Sequence, residues 1–230
     1  MAQAGADIID IGGESTRPGA AAVSVEDEVR RVLPVIERVP NLVVSVDTTK
    51  AGVADRALAA GARIVNDISA LRFDEQMVDV VRDHGAGVVL MHMQGTPQTM
   101  QQNPTYRDVV GEIREFLAER IAFAESRGVK KTQIAVDPGI GFGKTVEQNL
   151  QLLARLESLR ALGCPIVVGA SRKSFIGQTL GRGPLERLAG SLGAAAWAVQ
   201  HGANVVRVHD VPETVDAVRM MEAISRWNVS

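Results

Sequence analysis

Residues 42–68 read LVVSVDTTKAGVADRALAAGARIVNDI, two short β-branched runs separated by a longer segment. The runs, Leu42–Asp47 and Ile64–Ile68, are nearly continuous in apolar residues, as expected for parallel strands buried on both faces. Gly61-Ala62, just before the second run, is a helix-stop signal. The stretch therefore predicts one strand–helix–strand unit of a parallel α/β fold.

The same unit recurs along the chain. Amphipathic segments, several of which begin with a capping signal, are predicted to be helices at Ser24–Val39, Asp108–Arg127, Thr145–Leu162 and Pro212–Trp227. Seven short apolar runs are predicted to be strands at Asp7–Gly13, Leu42–Asp47, Ile64–Ile68, Gly87–His92, Ile134–Gly139, Pro165–Ser171 and Asn204–Asp210.

The alternation of strands and helices predicts a (β/α)8 TIM barrel that forms a single domain over residues 1–230. A closed barrel has eight strands and the sequence shows seven, so we expect the first strand to precede Met1. An open doubly wound sheet is the alternative, and it would place ligands at a single switch point. Polar residues follow nearly every strand, which favours the barrel.

Composition limits the classes of partner. The chain has 25 Lys and Arg against 27 Asp and Glu, and only 3% of its residues are aromatic. These values argue against a nucleic-acid or membrane partner. The single cysteine, Cys164, excludes an internal disulfide and favours a reducing compartment. The chain shows neither a secretory signal nor an apolar run long enough to cross a bilayer.

Polar or glycine-rich residues end nearly every predicted strand. In a barrel, these ends converge on one face, where active sites lie. One such aspartate alone would be read as a helix cap or turn former, whereas seven polar ends indicate a site. They are Gly12–Gly19, Asp47-Thr48, Asn66-Asp67, Met91–Met93, Asp137–Gly139, Ser171–Ser174 and Arg207–Asp210.

These strand ends offer two kinds of chemistry. Carboxylates and an amide, at Asp47, Asn66 and Asp137, match the hydrogen-bonding edge of a flat, nitrogen-rich heterocycle. Cationic side chains elsewhere on the rim suit phosphate oxygens. Residues 171–174 are predicted to begin a helix, whose N-terminus can also hold an anion. The candidate phosphate-binding cations are Arg17, Arg207 and His209.

Two loops carry further signals. Residues 139–144, GIGFGK, lack the Ser or Thr of a nucleotide-binding loop and instead predict a backbone shaped for close approach to a ring. Residues 94–106 are long and irregular, and they fit either an ordinary connection or a lid over a substrate.

Taken together, several motifs resemble those of the dihydropteroate synthase family, in that family's order. They are GGESTRPG, SVDT, NDI, LMHMQGTP, DPGIGFGK, GASRKSFIG and RVHDV. The resemblance implies a cytoplasmic, dimeric TIM-barrel transferase of folate biosynthesis and a sulfonamide target. Such an enzyme uses Mg²⁺ to condense p-aminobenzoate with 6-hydroxymethyl-7,8-dihydropterin diphosphate, giving 7,8-dihydropteroate and diphosphate.

The resemblance also implies roles for individual residues. Catalytic roles fall to Asp47, Asp137, Lys173, Arg207 and His209. Pterin-binding roles fall to Asp47, Asn66, Met91, Asp137, Phe142, Gly169 and Lys173. The p-aminobenzoate site comprises Thr16, Arg17, Pro18 and Ser174, and the diphosphate site comprises Arg17, Arg207 and His209. No metal ligand can be assigned, because the family's metal-binding asparagine lies in a loop after the first strand.

Two other functions compete with this one. A methyltetrahydrofolate methyltransferase has a similar pterin-binding barrel, but methyl transfer involves no diphosphate or p-aminobenzoate, so STRPG and SRKS argue against it. An N-terminally truncated pterin-binding protein with little or no activity is the other alternative.

Overall fold

The computed structural model describes residues 1–17, 19–39 and 41–227. It has seven parallel strands in barrel order, and β1 to β5 form a continuous sheet. The β6–β7 pair is joined to that sheet by a bridge between Val136 and Ile166. The strands are β1 (Ile8–Gly12), β2 (Val43–Asp47), β3 (Ile64–Asp67), β4 (Gly87–Met91), β5 (Ile134–Asp137), β6 (Val167–Val168) and β7 (Val205–Val206).

Helices lie between the strands and pack on neighbouring helices around the barrel. Two predicted helix starts are confirmed. The Ser24 hydroxyl accepts a hydrogen bond from the Asp27 amide, and Thr145 and Gln148 cap one another reciprocally. Within the described ranges the α-helices are α1 (Val25–Ile36), α2 (Ala51–Ala59), α3 (Met77–His84), α4 (Val109–Ser126), α5 (Val146–Ala154), α6 (Ser174–Leu180), α7 (Leu188–Gln200) and α8 (Val211–Arg226).

Some predicted bounds are wrong. The segment predicted as one helix at Thr145–Leu162 leaves α-helical geometry at Arg155, and Leu156–Leu162 is a 3₁₀ helix. The predicted strands at Pro165–Ser171 and Asn204–Asp210 pair over only two residues each. Helices α2, α3 and α7 were not predicted. The last is rich in small apolar residues on all sides, so it lacks the polar face that marks a surface helix.

The TIM-barrel architecture is confirmed, with seven strands as predicted. Among the described residues, no backbone pairing joins β7 to β1. Residues of these two strands are correspondingly half-buried, whereas Val46, Val65 and Val136 on the inner strands are fully buried. The side chain of Arg207, just after β7, crosses to β1 and β2. In the same described ranges, no helix is long and apolar enough to cross a membrane.

Candidate functional site

Four polar side chains meet where the last strand, β7, approaches the first strands of the barrel. We call them the Arg207 cluster (Asp10, Asp47, Asn66 and Arg207). The Arg207 guanidinium donates through Nη2 to Asp47 Oδ2 at 2.9 Å and through Nε to Asp10. Asn66 Nδ2 donates to the same Asp10 oxygen at 3.3 Å. Strand register explains the meeting, since Asp47 is paired with Asn66 across β2 and β3. The predicted residues Asp47, Asn66 and Arg207 therefore lie together.

The two carboxylates of the cluster share one cation. Burial raises the pKa of Asp47 to about 7; the negative charge of Asp10 acts in the same direction and Arg207 opposes both. Burial disfavours the charge of Arg207, but Asp47 and Asp10 outweigh it and raise the guanidinium pKa. The Arg207 side chain is 49% exposed, so its free edge can receive an anion from solvent.

A second polar group lies at the end of β5. The Asp137 carboxylate accepts a hydrogen bond from the Gly139 amide at 2.6 Å, and the Lys173 ammonium donates to the Ile140 carbonyl. Burial raises the pKa of Asp137, against the charge of Lys173. Burial also lowers the pKa of Lys173 to about 8, against the attraction of Asp137. Arg207 acts on both pKa values, so this group and the Arg207 cluster form one electrostatic unit.

An apolar wall adjoins these charges. Ile68, Met91, Met93 and Met100 form a buried cluster, separate from the main core, against which Phe142 packs. The Lys173 ammonium lies 4.3 Å from the centroid of the Phe142 ring, a cation–π distance. The predicted pair Met91 and Phe142 is thus brought together, and sulfur and aromatic surfaces of this kind suit a flat ring.

The glycines after Asp137 are required by the backbone conformation and by the neighbouring residues of the chain. Gly139 has φ +70°, and a Cβ there would lie 1.9 Å from the His92 carbonyl oxygen. Gly141 has φ +81°, and a Cβ would lie 2.7 Å from Lys173 Cδ. Any side chain would strain the backbone and displace the lysine. At the predicted pterin-site residue Gly169, a Cβ would make only an ordinary 3.8 Å contact with Arg207 Cβ.

The candidate diphosphate residues lie near one another. His209 Nδ1 is 3.0 Å from the Ser171 hydroxyl. Burial lowers the pKa of His209, and the positive charges of Arg172, Arg207 and, more weakly, Arg17 lower it further. Arg17 and Arg207 are therefore each close enough to His209 to act on its charge.

The candidate p-aminobenzoate residues are less tightly grouped. Thr16 lines a cavity of about 240 Å³ that also reaches Asp47, Phe73 and the loop after β4. Ser174 is the exposed first residue of α6, and Pro18 lies outside the described residues. In the described part of the chain no hydrogen bond joins Thr16 to Ser174. Their roles in binding p-aminobenzoate stay predictions.

A charged network beneath the loop after β1 was missed in the sequence. Lys50 Nζ donates to Glu14 and to Glu28, both at 2.6 Å, and the Glu28 side chain is only 1% exposed. Glu14 also accepts from the Val23 amide at 2.8 Å, which fixes the far end of the loop that carries Thr16. Glu28 could have been noticed, because it is a charge on the apolar stripe of α1.

Asp10 was also missed. It is the one charged residue in β1, whose other members are Ile8, Ile9, Ile11 and Gly12. One of its carboxylate oxygens is buried and has no hydrogen-bond partner among the residues that the structure describes. A charge inside an otherwise apolar strand was the signal, because such a charge needs a partner.

The described residues show no group of three or more His, Cys, Asp or Glu side chains that could hold a metal ion. Asp10 and Asp47 bond to Arg207, and Asp210, next to His209, bonds to Arg172. These residues therefore do not fit a metal site formed by protein ligands alone.

Comparison with known proteins gives consistent matches. A family profile described as "Pterin binding enzyme" matches residues 1–209. The chain is 49% identical over 226 residues to the dihydropteroate synthase of Escherichia coli K12, covering 97% of this chain and 80% of that protein.

Two solved structures are similarly close. A Yersinia pestis dihydropteroate synthase in a sulfonamide drug complex has a TM-score of 0.95 at 44% identity, covering 98% of this chain and 82% of that one. The Xanthomonas albilineans enzyme in complex with 7,8-dihydropteroate has a TM-score of 0.88 at 46% identity, covering 97% of this chain and 81% of that one.

Proposed function

Because this chain belongs to the pterin-binding enzyme family and is similar to dihydropteroate synthases over 97% of its length, we propose that it is a transferase of folate biosynthesis. It condenses p-aminobenzoate with 6-hydroxymethyl-7,8-dihydropterin diphosphate and releases 7,8-dihydropteroate and diphosphate. The observation that carries this assignment is the meeting of carboxylate and amide side chains with cations at the strand ends, beside the apolar cluster against which Phe142 packs. A relative of this chain has been solved with 7,8-dihydropteroate bound, which supports the same product here.

The pterin ring would lie between the Arg207 cluster and Asp137. Carboxylates at Asp47 and Asp137 accept the ring N–H groups, and the Asn66 amide completes a donor–acceptor edge. Phe142 and the methionine cluster supply the flat apolar surface. Lys173 would donate to a ring acceptor, from an ammonium already held beside Asp137.

The reaction breaks the bond from the pterin methylene to the diphosphate oxygen, and the electron pair leaves with the oxygen. Arg207 and His209, with Arg17 nearby, stabilise the negative charge that develops there. The nearby carboxylates, Asp47 and Asp137, stabilise the positive charge left on the pterin. The aniline nitrogen of p-aminobenzoate then forms the new carbon–nitrogen bond and loses one proton to solvent. No covalent enzyme intermediate is required.

The p-aminobenzoate site is proposed for Thr16, Arg17, Pro18 and Ser174. Its support is positional, since the loop after β1 carries Thr16 and Arg17 to the rim that also holds Arg207. The charged network of Lys50, Glu14 and Glu28 holds that loop from below.

We propose that magnesium is a cofactor that binds together with the diphosphate substrate. Since the described residues do not fit a protein-only metal site, we infer that such an ion takes oxygen ligands from diphosphate and water, as Mg²⁺ commonly does. We assign it no step. Chelation with EDTA is expected to abolish turnover and to leave binding of a pterin without the diphosphate unchanged.

A homodimer in the cytoplasm is part of the same proposal. On α8 and just after it, Met220, Ile224 and Trp227 are 62%, 56% and 88% exposed and lie four and three residues apart. Trp197 of the adjacent helix α7 is 48% exposed. Exposed apolar patches of this kind mark protein–protein contacts. Ile224→Glu is expected to convert a dimer to a monomer in light scattering. Cys164 as the only cysteine is consistent with a reducing compartment.

A diphosphate-release assay with both substrates tests the proposed activity. Release that requires p-aminobenzoate supports the transferase, and omission of p-aminobenzoate is the control. Pterin binding without turnover would favour the non-catalytic pterin-binding protein. Methyl transfer from methyltetrahydrofolate, without diphosphate release, would favour the methyltransferase.

A further inference from the structure

The loop after β5 has a feature that the proposed reaction does not use. We call residues 139–143 the glycine turn. Each of its five successive backbone carbonyls accepts a hydrogen bond from a side chain. Lys144 Nζ donates to the Gly139 carbonyl at 2.9 Å and to the Phe142 carbonyl at 2.8 Å, and Lys173 donates to the Ile140 carbonyl.

Two of these donors come from the long loop after β4, residues 94–106, which we call the covering segment. Gln101 Nε2 donates to the Gly141 carbonyl at 2.8 Å. The Tyr106 hydroxyl donates to the Gly143 carbonyl at 2.9 Å. These two contacts span about 40 residues of sequence, so they join elements that the chain does not hold together locally.

The covering segment is also packed onto the turn. Met100 is 5% exposed and belongs to the apolar cluster against which Phe142 packs. A Cβ at Gly143 would lie 3.2 Å from the Met100 carbonyl oxygen and from Gln94 Cβ, so the two backbones approach closely. The segment is seated on the turn by polar and apolar contacts together.

The glycine turn also positions two residues that are proposed to contact the pterin. Its Ile140 carbonyl binds the Lys173 ammonium, and its Phe142 ring lies 4.3 Å from that ammonium. A shift of the turn would move both groups relative to Asp137, whose carboxylate accepts from the Gly139 amide. The contacts therefore form a continuous path from Gln101 to the pocket.

We propose that Gln101 and Tyr106 are positioning residues, which tie the covering segment to the glycine turn and thereby set Lys173 and Phe142 for pterin binding. Neither residue belongs to the set assigned to the substrates. The inference rests on the proposed function, since it specifies how the pterin pocket of that function is held.

The exposed Gln101 gives the sharpest test, because its replacement is not expected to unfold the chain. Gln101→Leu removes the donor to Gly141 and keeps the size of the side chain. Gln102→Leu is the matched control, since Gln102 is the same residue type, next in sequence and exposed, and its side chain makes no hydrogen bond to any described residue. Tyr106→Phe removes only the hydroxyl.

The probe is 6-hydroxymethyl-7,8-dihydropterin in titration calorimetry. Gln101→Leu and Tyr106→Phe are each expected to weaken binding about fivefold, the effect of one hydrogen bond of typical net strength. Gln102→Leu should bind as the unsubstituted chain does. In turnover, the KM for the pterin diphosphate should rise while the KM for p-aminobenzoate stays constant, a split that general destabilisation would not produce.

Hydrogen–deuterium exchange of the ligand-free chain supplies a readout independent of substrate. The amides of residues 139–143 should exchange faster in Gln101→Leu than in Gln102→Leu. Equal exchange and equal pterin affinity in the two variants would overturn the inference while leaving the proposed function intact. Failure of the unsubstituted chain to bind the pterin would overturn the proposed function, and the inference with it.

Discussion

His92 makes the stability of the chain sensitive to acid in a way that one substitution can isolate. His92 is 7% exposed as a residue. Its imidazole accepts through Nδ1 from Lys144 Nζ at 3.1 Å and packs edge-on against Phe116. Burial, with the charges of Lys144 and Arg72, lowers its pKa to about 2. The folded chain therefore keeps this imidazole neutral throughout the range in which an unfolded chain would protonate it.

Proton linkage gives the direction and the magnitude of the effect of pH on stability through His92. An unfolded histidine titrates near 6.5, so below that pH the unfolded state binds one more proton than the folded state. The contribution of neutral His92 to the free energy of unfolding is fully present above about pH 6.5. It falls by about 1.4 kcal/mol per pH unit as the pH drops towards 2. At pH 5 the loss due to His92 amounts to about 2 kcal/mol. Asp47 acts oppositely, because a raised carboxyl pKa of about 7 favours proton uptake by the folded state.

The comparison of the chain with His92→Gln removes the contribution of Asp47, which is common to both. Urea unfolding followed by circular dichroism at pH 8 and pH 5 would give the two free energies of unfolding. The advantage of the unsubstituted chain over the variant should shrink by about 2 kcal/mol between these pH values. A difference that stays constant from pH 8 to pH 5 would refute a neutral, buried His92.

Other perturbations test the site. Pterin affinity should fall below about pH 7 as Asp47 protonates and above about pH 8 as Lys173 loses its charge. Because the charge of Asp10 raises the pKa of Asp47, Asp10→Asn should move the acid limb, the fall in affinity on the acid side, to lower pH. Titration calorimetry across pH would show this, and an unmoved acid limb would contradict the influence of Asp10. Asp137→Asn should weaken pterin binding by roughly 2 kcal/mol, the value of a charged hydrogen bond, with unchanged circular dichroism; unaltered affinity would remove Asp137 from the pocket. Lys50→Met should cost about 2–3 kcal/mol in urea unfolding, since it strands the Glu28 carboxylate, and a neutral effect would count against that pair.

The barrel was predictable because its inner strands are buried on both faces and therefore appear as apolar runs. The site was predictable in outline for a related reason. Parallel strand ends lie together, so Asp47, Asn66 and Asp137 could be placed on one rim without knowledge of any distance. Asp10 and Glu28 were within reach as well, because each is a charge in an apolar pattern.

The contacts around the glycine turn could not be predicted in this way. Gln101 and Tyr106 lie in an irregular segment without periodicity, and their partners are backbone carbonyls, which every residue has. Helix α7 was not predicted for a different reason, since small apolar residues on all its sides leave it without a polar face. A sequence pattern indicates which face of an element is buried, whereas the contacts around the glycine turn depend on the positions of loops that are distant in sequence.

The sharing of one guanidinium by two carboxylates has a thermodynamic consequence. If a diphosphate draws Arg207 away from Asp10 and Asp47, two carboxylates remain side by side with less compensating charge. Their mutual repulsion then raises the Asp47 pKa above the present value of about 7. Near neutral pH, capture of an anion by this barrel should therefore be accompanied by uptake of part of a proton. The measured heat of inorganic diphosphate binding would then depend on the ionisation enthalpy of the buffer.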